Sequence, residues 1–160
     1  MRRGATLDGP ATTEHGGDAS VEPRRQWRIA AYAVCRRGDE LLVVRASERT
    51  EVAGSWFLPG GGLEYGEDPA DAVLRELGEE TGLSGTAPRL LDVVSDVRRR
   101  RSGARIFTVR LIYVIDDVTG ELAHEAHGTS DEARWVPLDE LDSIELMPYA
   151  RRAIQLAAEK

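Results

Sequence analysis

The 160-residue sequence contains a single cysteine and no long apolar run, and these two absences exclude several classes of protein. With only Cys35, the chain can build neither a disulfide framework nor a cysteine-rich metal cluster. No apolar stretch approaches the length needed to span a bilayer, so no membrane partner is expected. No apolar segment follows the basic start at Met1 either, so we expect a cytoplasmic protein rather than a secreted one.

Positive charge is also scarce, because 21 Lys and Arg residues stand against 28 Asp and Glu residues, for a formal net charge of −7. A protein of that charge should repel nucleic acid and anionic membranes, so nucleic acid is not an expected partner. The chain is 41% hydrophobic and 31% charged, which is typical of a globular protein that buries a proper core.

Residues 1–25 differ in composition from the rest of the chain. They are rich in Gly, Thr, Pro, Ala and charged residues and show no apolar periodicity, which predicts a flexible N-terminal tail. A lone histidine in such a tail, His15, is expected to be solvated. No repeat or boundary interrupts residues 26–160, which we therefore interpret as one domain.

Short apolar runs interleaved with helical segments predict an α/β fold, a sheet sandwiched between helices. Two runs separated by Gly38 predict a hairpin. Residues 106–115, apolar on both faces, predict a strand in the middle of the sheet. The glycine run 60–62 is predicted to be a loop. The remaining predictions are loops at 46–55 and 116–133, strands at 87–97 and 134–138, a short helix or turn at 139–146, and a terminal helix with Pro148 in its first turn.

The stretch after the glycines predicts a helix over residues 69–81. Asp68 is a good N-cap, Pro69 suits the first helical position, and Gly82 is placed to end the helix in the left-handed conformation. At about 100° per residue, one side of this helix is apolar and should face the sheet. That side consists of Ala70, Val73, Leu74 and Leu77.

Another side of the same helix gathers three carboxylates, Glu76, Glu79 and Glu80, at i, i+3 and i+4. Like charges at that spacing repel one another, and the helix contains no lysine to compensate them. A hard divalent cation removes the repulsion, and carboxylate oxygens are what Mg²⁺ or Mn²⁺ prefers. The alternative is an acidic helix face that is simply exposed to solvent, but the unusual glycine loop in front of the helix argues against it.

The glycines Gly60, Gly61 and Gly62 let the backbone bend where side chains would clash. Such backbone can turn carbonyl groups toward a cation or N–H groups toward a phosphate. Gly78 is a further oddity, because glycine inside a helix costs about 1 kcal/mol relative to alanine. Close approach of another chain segment is one explanation that the sequence offers.

Together, the glycines and the acidic helix resemble the Nudix box. Every fixed position of the box agrees, at the family's spacing. These positions are Gly61, Glu67, Arg75, Glu76, Leu77, Glu79, Glu80, Gly82 and Leu83. The resemblance implies the Nudix fold, a mixed β-sheet between α-helices. It also implies hydrolysis of a nucleoside diphosphate linked to another group, with Mg²⁺ or Mn²⁺ as cofactor. Family members are often dimers, so a homodimer is also among the expected partners.

The resemblance also implies roles for individual residues. The expected metal ligands are Glu67, Glu76, Glu79, Glu80 and the backbone carbonyl of Gly60. Arg75 is expected to organise a neighbouring carboxylate or the loop backbone. Substrate contacts are expected from Gly61, Gly62 and Tyr65.

The general base is left open, because family members use either a glutamate of the box or one from a later loop. The candidates within the box are Glu76 and Glu79. Those from the later segment are Glu132 and Glu125, the second of which is flanked by His124 and His127.

Markers of narrower Nudix subfamilies are missing downstream of the box. This leaves a nucleoside triphosphate or modified nucleotide as the expected small-molecule substrate, with release of a nucleoside monophosphate. The alternatives are a nucleotide-binding sensor without catalysis, an isoprenyl diphosphate isomerase that would need Cys35 near the site, and RNA decapping aided by residues 98–101. For that arginine run we favour a solvated hairpin, because no aromatic residues interleave with it.

Overall fold

The computed structural model describes residues 25–124 and 128–159. The strands run in chain order and two helices pack against them. The strands are β1 (Arg25–Arg37), β2 (Glu40–Ala46), β3 (Trp56–Phe57), β4 (Gly60–Gly62), β5 (Ser84–Thr86), β6 (Arg89–Arg99), β7 (Arg105–Ile115), β8 (Asp117–Thr119) and β9 (Ser130–Pro137). The helices are α1 (Pro69–Thr81) and α2 (Pro148–Ala158), and a 3-10 helix spans Leu138–Ser143.

The main sheet is mixed, with seven strands built around β1. The long strands β1 and β7 pair in parallel along eleven residues, from Arg25 opposite Arg105 to Cys35 opposite Ile115. On the far side of β7, β6 pairs antiparallel. On the other edge of β1, the glycine strand β4 pairs with residues 30–32, and β2 pairs only near the hairpin turn. The short β4 therefore sits directly against the centre of the sheet.

Alternating side chains of β1 build one core on each face of the sheet. Ala30, Tyr32 and Val34 pack toward α2, in a cluster that includes Ile112 and Tyr149. The intervening residues of β1 pack toward α1, whose buried side chains complete the second cluster. These residues are Ala31, Ala33 and Cys35 from β1, and Ala72, Val73 and Leu77 from α1. The two helices thus cover opposite faces of the sheet.

Most of the predicted elements are confirmed. Gly38 turns the β1–β2 hairpin with φ of 59°, and β7 lies between β1 and β6 as a central strand should. Helix α1 has the predicted bounds, with the Asp68 side chain accepting a hydrogen bond from the Ala70 N–H and Gly82 ending it at φ of 70°. The terminal helix begins at Pro148.

The glycine run is not a loop, and here the prediction was wrong. Gly60–Gly62 form a strand because their backbone pairs with β1, an effect of tertiary contact that overrides the low β-propensity of glycine. Likewise β5 and β8 pair with each other in segments whose sequence predicts irregular or loop structure. Strand β9 starts at Ser130, four residues before the predicted start at 134.

Helix α1 does not cover the whole face on which it lies. Trp27 and Ile29 of β1 and Val93 and Val97 of β6 are half exposed or more. The predicted homodimer stays a prediction, and this apolar strip is the surface on which it can be tested. Neither α1, with 13 residues, nor any other helix in the described ranges is long and apolar enough to cross a membrane.

Gly78 in α1 is not explained by a close neighbour. A Cβ at this position would meet only the Leu83 carbonyl oxygen, at an ordinary 3.7 Å. Gly78→Ala should therefore stabilise the protein by about 0.5–1 kcal/mol, through the helix propensity alone. Thermal unfolding should show a rise in Tm of about 1–4 °C.

Gly82→Ala is the matched control for this prediction. Gly82 has φ of 70°, and a Cβ there would lie 2.9 Å from the Cβ of Ala123, so this variant should melt below the wild type. A lower Tm for Gly78→Ala would contradict the account of α1.

Candidate active site

The site begins where Gly60 crosses β1. Its φ is 145°, a region that favours glycine, and an added Cβ would overlap the Ala31 carbonyl oxygen. The neighbouring Ala33 N–H donates to the Pro59 carbonyl oxygen at 2.8 Å. The chain can therefore pass this close to the sheet only with glycine at position 60.

Two carboxylates of α1 reach the glycine strand. Glu80, only 3% exposed, accepts a hydrogen bond of 2.9 Å from the Gly60 N–H through Oε2. The Glu76 carboxylate fills the space beside Gly61, where an added Cβ would overlap its oxygens. The spacing of four residues places both groups on the side of α1 that faces β4. The approach to the sheet thus requires glycine at position 60, whereas glycine at position 61 leaves the space that the Glu76 carboxylate occupies.

Arg75 connects the remaining acidic groups. Its Nε and Nη2 donate to the two oxygens of Glu67 at 2.7 and 2.9 Å, a bidentate pair. Its Nη1 donates to Glu76 at 3.1 Å and to Glu79 at 3.2 Å. Nη2 also lies 3.3 Å from the Gly62 carbonyl oxygen. This geometry is what an organiser of the carboxylates and of the loop backbone needs, although that role stays a prediction.

The pKa values of two of these carboxyl groups are shifted in opposite directions. The hydrogen bond from Arg75, together with the Glu64 N–H, lowers the pKa of Glu67 to about 2. Burial raises the pKa of Glu76, and the hydrogen bond from Arg75 opposes that shift only in part. Glu76 is therefore a carboxylate whose ionised form lacks full compensation by its surroundings.

No three Asp, Glu, His or Cys side chains converge in a geometry that could hold a metal ion within residues 25–124 and 128–159. Instead, Glu80 accepts a hydrogen bond from the Gly60 N–H, and Glu76 accepts one from Arg75. The donor set nevertheless fits a hard divalent cation, because Glu76 and Glu80 bring carboxylate oxygens to neighbouring residues of the same glycine strand.

A cleft of about 440 Å³ opens beside the glycine strand. Gly60, Gly61, Gly62 and Glu76 line one side of it. The rest of its lining combines basic, aromatic and smaller polar or apolar residues. The basic residues are Arg28, Arg49, Arg98, Arg100 and Arg110, and the aromatic residues are Tyr32, Phe57 and Tyr149. The cleft therefore brings five arginines to the same space as Glu76, which makes the glycine-strand end its acidic end, and Glu51 is the other acidic residue of the lining.

The arginines are not equivalent. Arg28 lies against the glycine strand, since a Cβ at Gly62 would be 3.5 Å from its Nε. Arg110 is nearly buried, pairs with Asp96 at 2.8 Å and stacks on the Tyr149 ring at 4.3 Å. The Nε of Arg110 has no hydrogen-bond partner among the described residues. The floor of the cleft thus holds fixed positive charge.

Other predicted site residues lie outside this lining. Tyr65 is fully exposed. Glu132 lies on β9 and pairs with Arg45 at 2.8 Å. The Nδ1 of His124 accepts a hydrogen bond from the Ala133 N–H at 3.1 Å. The roles of Tyr65 and Glu132 stay predictions, and Glu125 and His127 fall outside the described residues.

Sequence reasoning did not find most of the cleft residues. Arg28 and Tyr32 are four residues apart on β1, so strand alternation places both on one face, together with Thr108 and Arg110 of β7. That alternation was visible in the sequence. What was missing was the order of the strands, which decides that β1 and β7 adjoin.

Cys35 is far from being a reactive thiol. It is fully buried in the core beneath α1, and burial, with a smaller effect from Asp116, raises its pKa to about 12. An isoprenyl diphosphate isomerase that depends on this cysteine is therefore disfavoured.

The pairing of Arg75 with Glu67 predicts a defined pH dependence of stability. The pKa of Glu67 is lowered from an ordinary 4.5 to about 2, so the stability it provides is complete above about pH 4.5 and is lost as the pH falls toward 2. Arg75→Gln should therefore be less stable than the wild type at pH 7, and the difference should shrink between pH 4.5 and 2. Urea unfolding at several pH values measures this.

Arg89→Gln is the control, because it breaks the Arg89–Asp116 pair, in which both side chains are two-thirds exposed. It should change the free energy of unfolding by at most about 1 kcal/mol. A difference between Arg75→Gln and the wild type that stays constant down to pH 2 would contradict the assignment.

Comparison with known proteins agrees with this geometry. The model of the NUDIX domain family matches residues 24–157. An RNA pyrophosphohydrolase from Acidiphilium cryptum is 35% identical over 144 residues, which cover 83% of this chain and 87% of that protein. An 8-oxo-dGTP diphosphatase from Proteus vulgaris is 36% identical over 72 residues, 45% of this chain and 64% of that protein.

A solved structure shows the same fold. The MutT NUDIX hydrolase from Burkholderia pseudomallei superposes with a TM-score of 0.71 at 28% identity, covering 82% of this chain and 98% of that one. The predicted α/β arrangement of a mixed sheet between helices is thereby confirmed. The chain belongs to the Nudix hydrolase family and is an enzyme of the pyrophosphohydrolase type.

Proposed function

We propose that this enzyme cleaves the diphosphate linkage of a nucleoside triphosphate or modified nucleotide and releases a nucleoside monophosphate. The observation that carries the proposal is the cleft, which brings Glu76, beside the glycine strand, and five arginines to the same space. Substrate phosphates require both elements, because arginine binds their oxygens and a divalent cation neutralises the charge that repels a nucleophile.

The residues that would hold Mg²⁺ or Mn²⁺ are Glu76 and Glu80, with the carbonyl of Gly60 and with Glu67 and Glu79 nearby. Bound there, the cation would neutralise the diphosphate and make a water molecule more acidic. Glu80 is fixed by the Gly60 N–H, and Glu76 by its contact with Gly61 and by Arg75. The chain itself therefore orients both carboxylates before any ligand arrives.

Arg28 is the residue best placed to bind the diphosphate itself, since it lies against Gly62 at the acidic end of the cleft. Its guanidinium can donate two parallel hydrogen bonds to phosphate oxygens. Phe57 and Tyr32 also line the cleft and offer apolar ring surface to a nucleobase. The substrate thus spans from the glycine strand toward the aromatic side chains.

The proton of the attacking water needs an acceptor, and the geometry favours a glutamate of α1. Glu76 lines the cleft beside the glycine strand, where the attacking water would lie. Glu132 is engaged with Arg45 and is not among the residues that line the cleft. We therefore assign the base to the box rather than to the later segment.

The relatives support a phosphorylated nucleotide or nucleic-acid end as the substrate. One is named for RNA and the other for 8-oxo-dGTP, and both names describe cleavage of a diphosphate. The RNA substrate continues as a polynucleotide chain beyond its first nucleoside, whereas 8-oxo-dGTP is a single nucleotide. A screen of product formation must therefore include both types.

The test is a product screen with nucleoside triphosphates, 8-oxo-dGTP, ADP-ribose and 5′-triphosphorylated RNA, each with Mg²⁺ and with Mn²⁺. Glu80→Gln should lower kcat by more than about 100-fold, because even residues that only support a metal ligand contribute about 10–100-fold. Asp71→Asn makes the same charge change on the exposed side of α1 and should stay within about threefold of the wild type.

Metal-dependent release of a nucleoside monophosphate from a nucleoside triphosphate or from 8-oxo-dGTP, lost in Glu80→Gln and kept in Asp71→Asn, supports the proposal. Binding of a nucleotide with no turnover of any substrate would contradict it. That outcome would favour the nucleotide-binding sensor, and a shift in Tm on adding nucleotide would detect it.

A further inference from the structure

The arginine run of the β6–β7 hairpin divides into two sets. Arg98 and Arg100 line the cleft, whereas Arg99 and Arg101 are not among its lining residues. For Arg98 and Arg99, the last two residues of β6, the reason is strand alternation, because successive side chains of a strand point to opposite faces of the sheet. Arg98 sits opposite Ile106, another cleft residue, while Arg99 sits opposite Arg105. Arg98 is half-buried and Arg100 is exposed, and both face the cleft.

The hairpin itself holds this arrangement in place. The Arg100 N–H donates to the Ala104 carbonyl oxygen at 2.8 Å, and the Gly103 N–H donates to the Arg100 carbonyl oxygen at 2.9 Å. Gly103 has φ of 85°, which suits the turn. The alternation that separates the two sets of arginines is thus carried through to the turn.

The opposite rim of the cleft is the loop between β2 and β3, which contributes Arg49, Thr50, Glu51 and Val52. The Arg101 N–H lies 3.4 Å from Oε1 of Glu51, so the tip of the hairpin touches this loop. Arg98 and Arg100 therefore line the cleft opposite a loop that the tip of their own hairpin touches.

Arg98 and Arg100 lie apart from the acidic end of the site. Arg28, beside the glycine strand, is on β1, while Arg98 is on β6, with β7 between them. Two strand spacings separate their backbones by about 10 Å. A diphosphate seated at Gly60–Gly62 and Arg28 leaves the guanidinium groups of Arg98 and Arg100 free to bind a different group.

The charge on these two side chains is also available. Arg110 is already paired with Asp96, but neither Arg98 nor Arg100 forms an ion pair with any side chain in the described ranges 25–124 and 128–159. Two uncompensated guanidinium groups at one wall of a cleft favour an anionic ligand, and their planar donors match phosphate oxygens.

We propose that Arg98 and Arg100 determine specificity by binding a phosphate group of the substrate that lies outside the cleaved diphosphate linkage. The inference rests on the proposed function and narrows its substrates to those with an additional phosphate. That phosphate can be the third phosphate of a nucleoside triphosphate or the first phosphodiester of an RNA chain. The chemistry is the same in both, and binding and kinetic measurements separate the two sources.

The first arm measures binding without metal, by calorimetry, with inorganic tripolyphosphate and inorganic pyrophosphate as probes. Arg98→Ala/Arg100→Ala should weaken tripolyphosphate binding by at least about tenfold and pyrophosphate binding by less than about threefold. Arg99→Ala/Arg101→Ala removes the same charge from the same hairpin, and it should weaken the binding of either probe by less than about threefold. Arg98→Lys/Arg100→Lys keeps the charge but lacks the planar donors of the guanidinium group. Its affinity for tripolyphosphate should lie between those of the wild type and of Arg98→Ala/Arg100→Ala.

The second arm measures kcat/KM for a nucleoside triphosphate, for a short 5′-triphosphorylated RNA and for ADP-ribose, which has no phosphate beyond its diphosphate. Arg98→Ala/Arg100→Ala should lower kcat/KM at least about tenfold, through KM, for a substrate with the additional phosphate, and leave ADP-ribose unchanged. A loss with both triphosphate substrates identifies the third phosphate. A loss of kcat/KM with RNA alone identifies the phosphodiester. In that case the substitutions should have an equally small effect on the binding of the two inorganic probes.

Equal effects of the two alanine pairs in both arms would overturn the proposal, because they would reflect net charge only. An equal loss with ADP-ribose and with the triphosphate substrates would also overturn it. If the wild type turns over none of these substrates, the proposed function fails, and the binding arm extended to the intact RNA still decides the role of the arginines. Melting temperatures of all three variants establish that each is folded.

Discussion

The contact between the glycine strand β4 and two carboxylates of α1 is the constraint on which the rest of this structure depends. Gly60 passes so close to Ala31 that no side chain fits, and its N–H is the hydrogen-bond donor to Glu80. Gly61 leaves the space that the Glu76 carboxylate fills. The same short strand therefore pairs with the sheet and contacts two carboxylates of α1, the buried Glu80 and the half-buried Glu76, of which Glu76 lines the cleft.

Burying carboxylates has an energetic consequence that shapes the site. Burial disfavours the charged form of Glu76, and the neighbouring Glu79 adds repulsion. Among the described residues of the box, the positively charged side chain beside Glu76 and Glu79 is Arg75. Two of its hydrogen bonds go to Glu67. A divalent cation would neutralise the negative charge that Arg75 leaves on Glu76 and Glu79. Across the cleft, arginines complete the complement to a phosphorylated substrate.

Local chemistry made much of this predictable from the sequence. The cap at Asp68, the proline after it and the left-handed Gly82 predicted α1 to the residue, and the spacing of Glu76 and Glu80 predicted a shared face. These features depend only on neighbours in the chain. The box likewise consists of residues close together in the chain, so the sequence alone indicated the family although the box is a small part of it.

The rest depended on contacts between distant segments. Nothing local shows that Gly60–Gly62 pair with β1, since glycine disfavours strands and only the approach of Ala31 explains it. The cleft required the order of strands, which places Arg98 of β6 two strands away from Arg28 of β1. No aromatic residue interleaves with the arginine run, yet Phe57 and Tyr149 share the cleft with it because β3 and α2 bring them there.

The most direct test of the central contact is the Mn²⁺ affinity of Gly61→Ala, compared with Gly62→Ala and the wild type by calorimetry. The methyl group at position 61 must displace the Glu76 carboxylate, whereas one at position 62 meets Arg28 at an ordinary 3.5 Å. The account predicts a loss of Mn²⁺ affinity of about 10–100-fold for Gly61→Ala, a much smaller loss for Gly62→Ala, and cooperative thermal unfolding for both. A folded Gly61→Ala that binds Mn²⁺ as tightly as the wild type would contradict it.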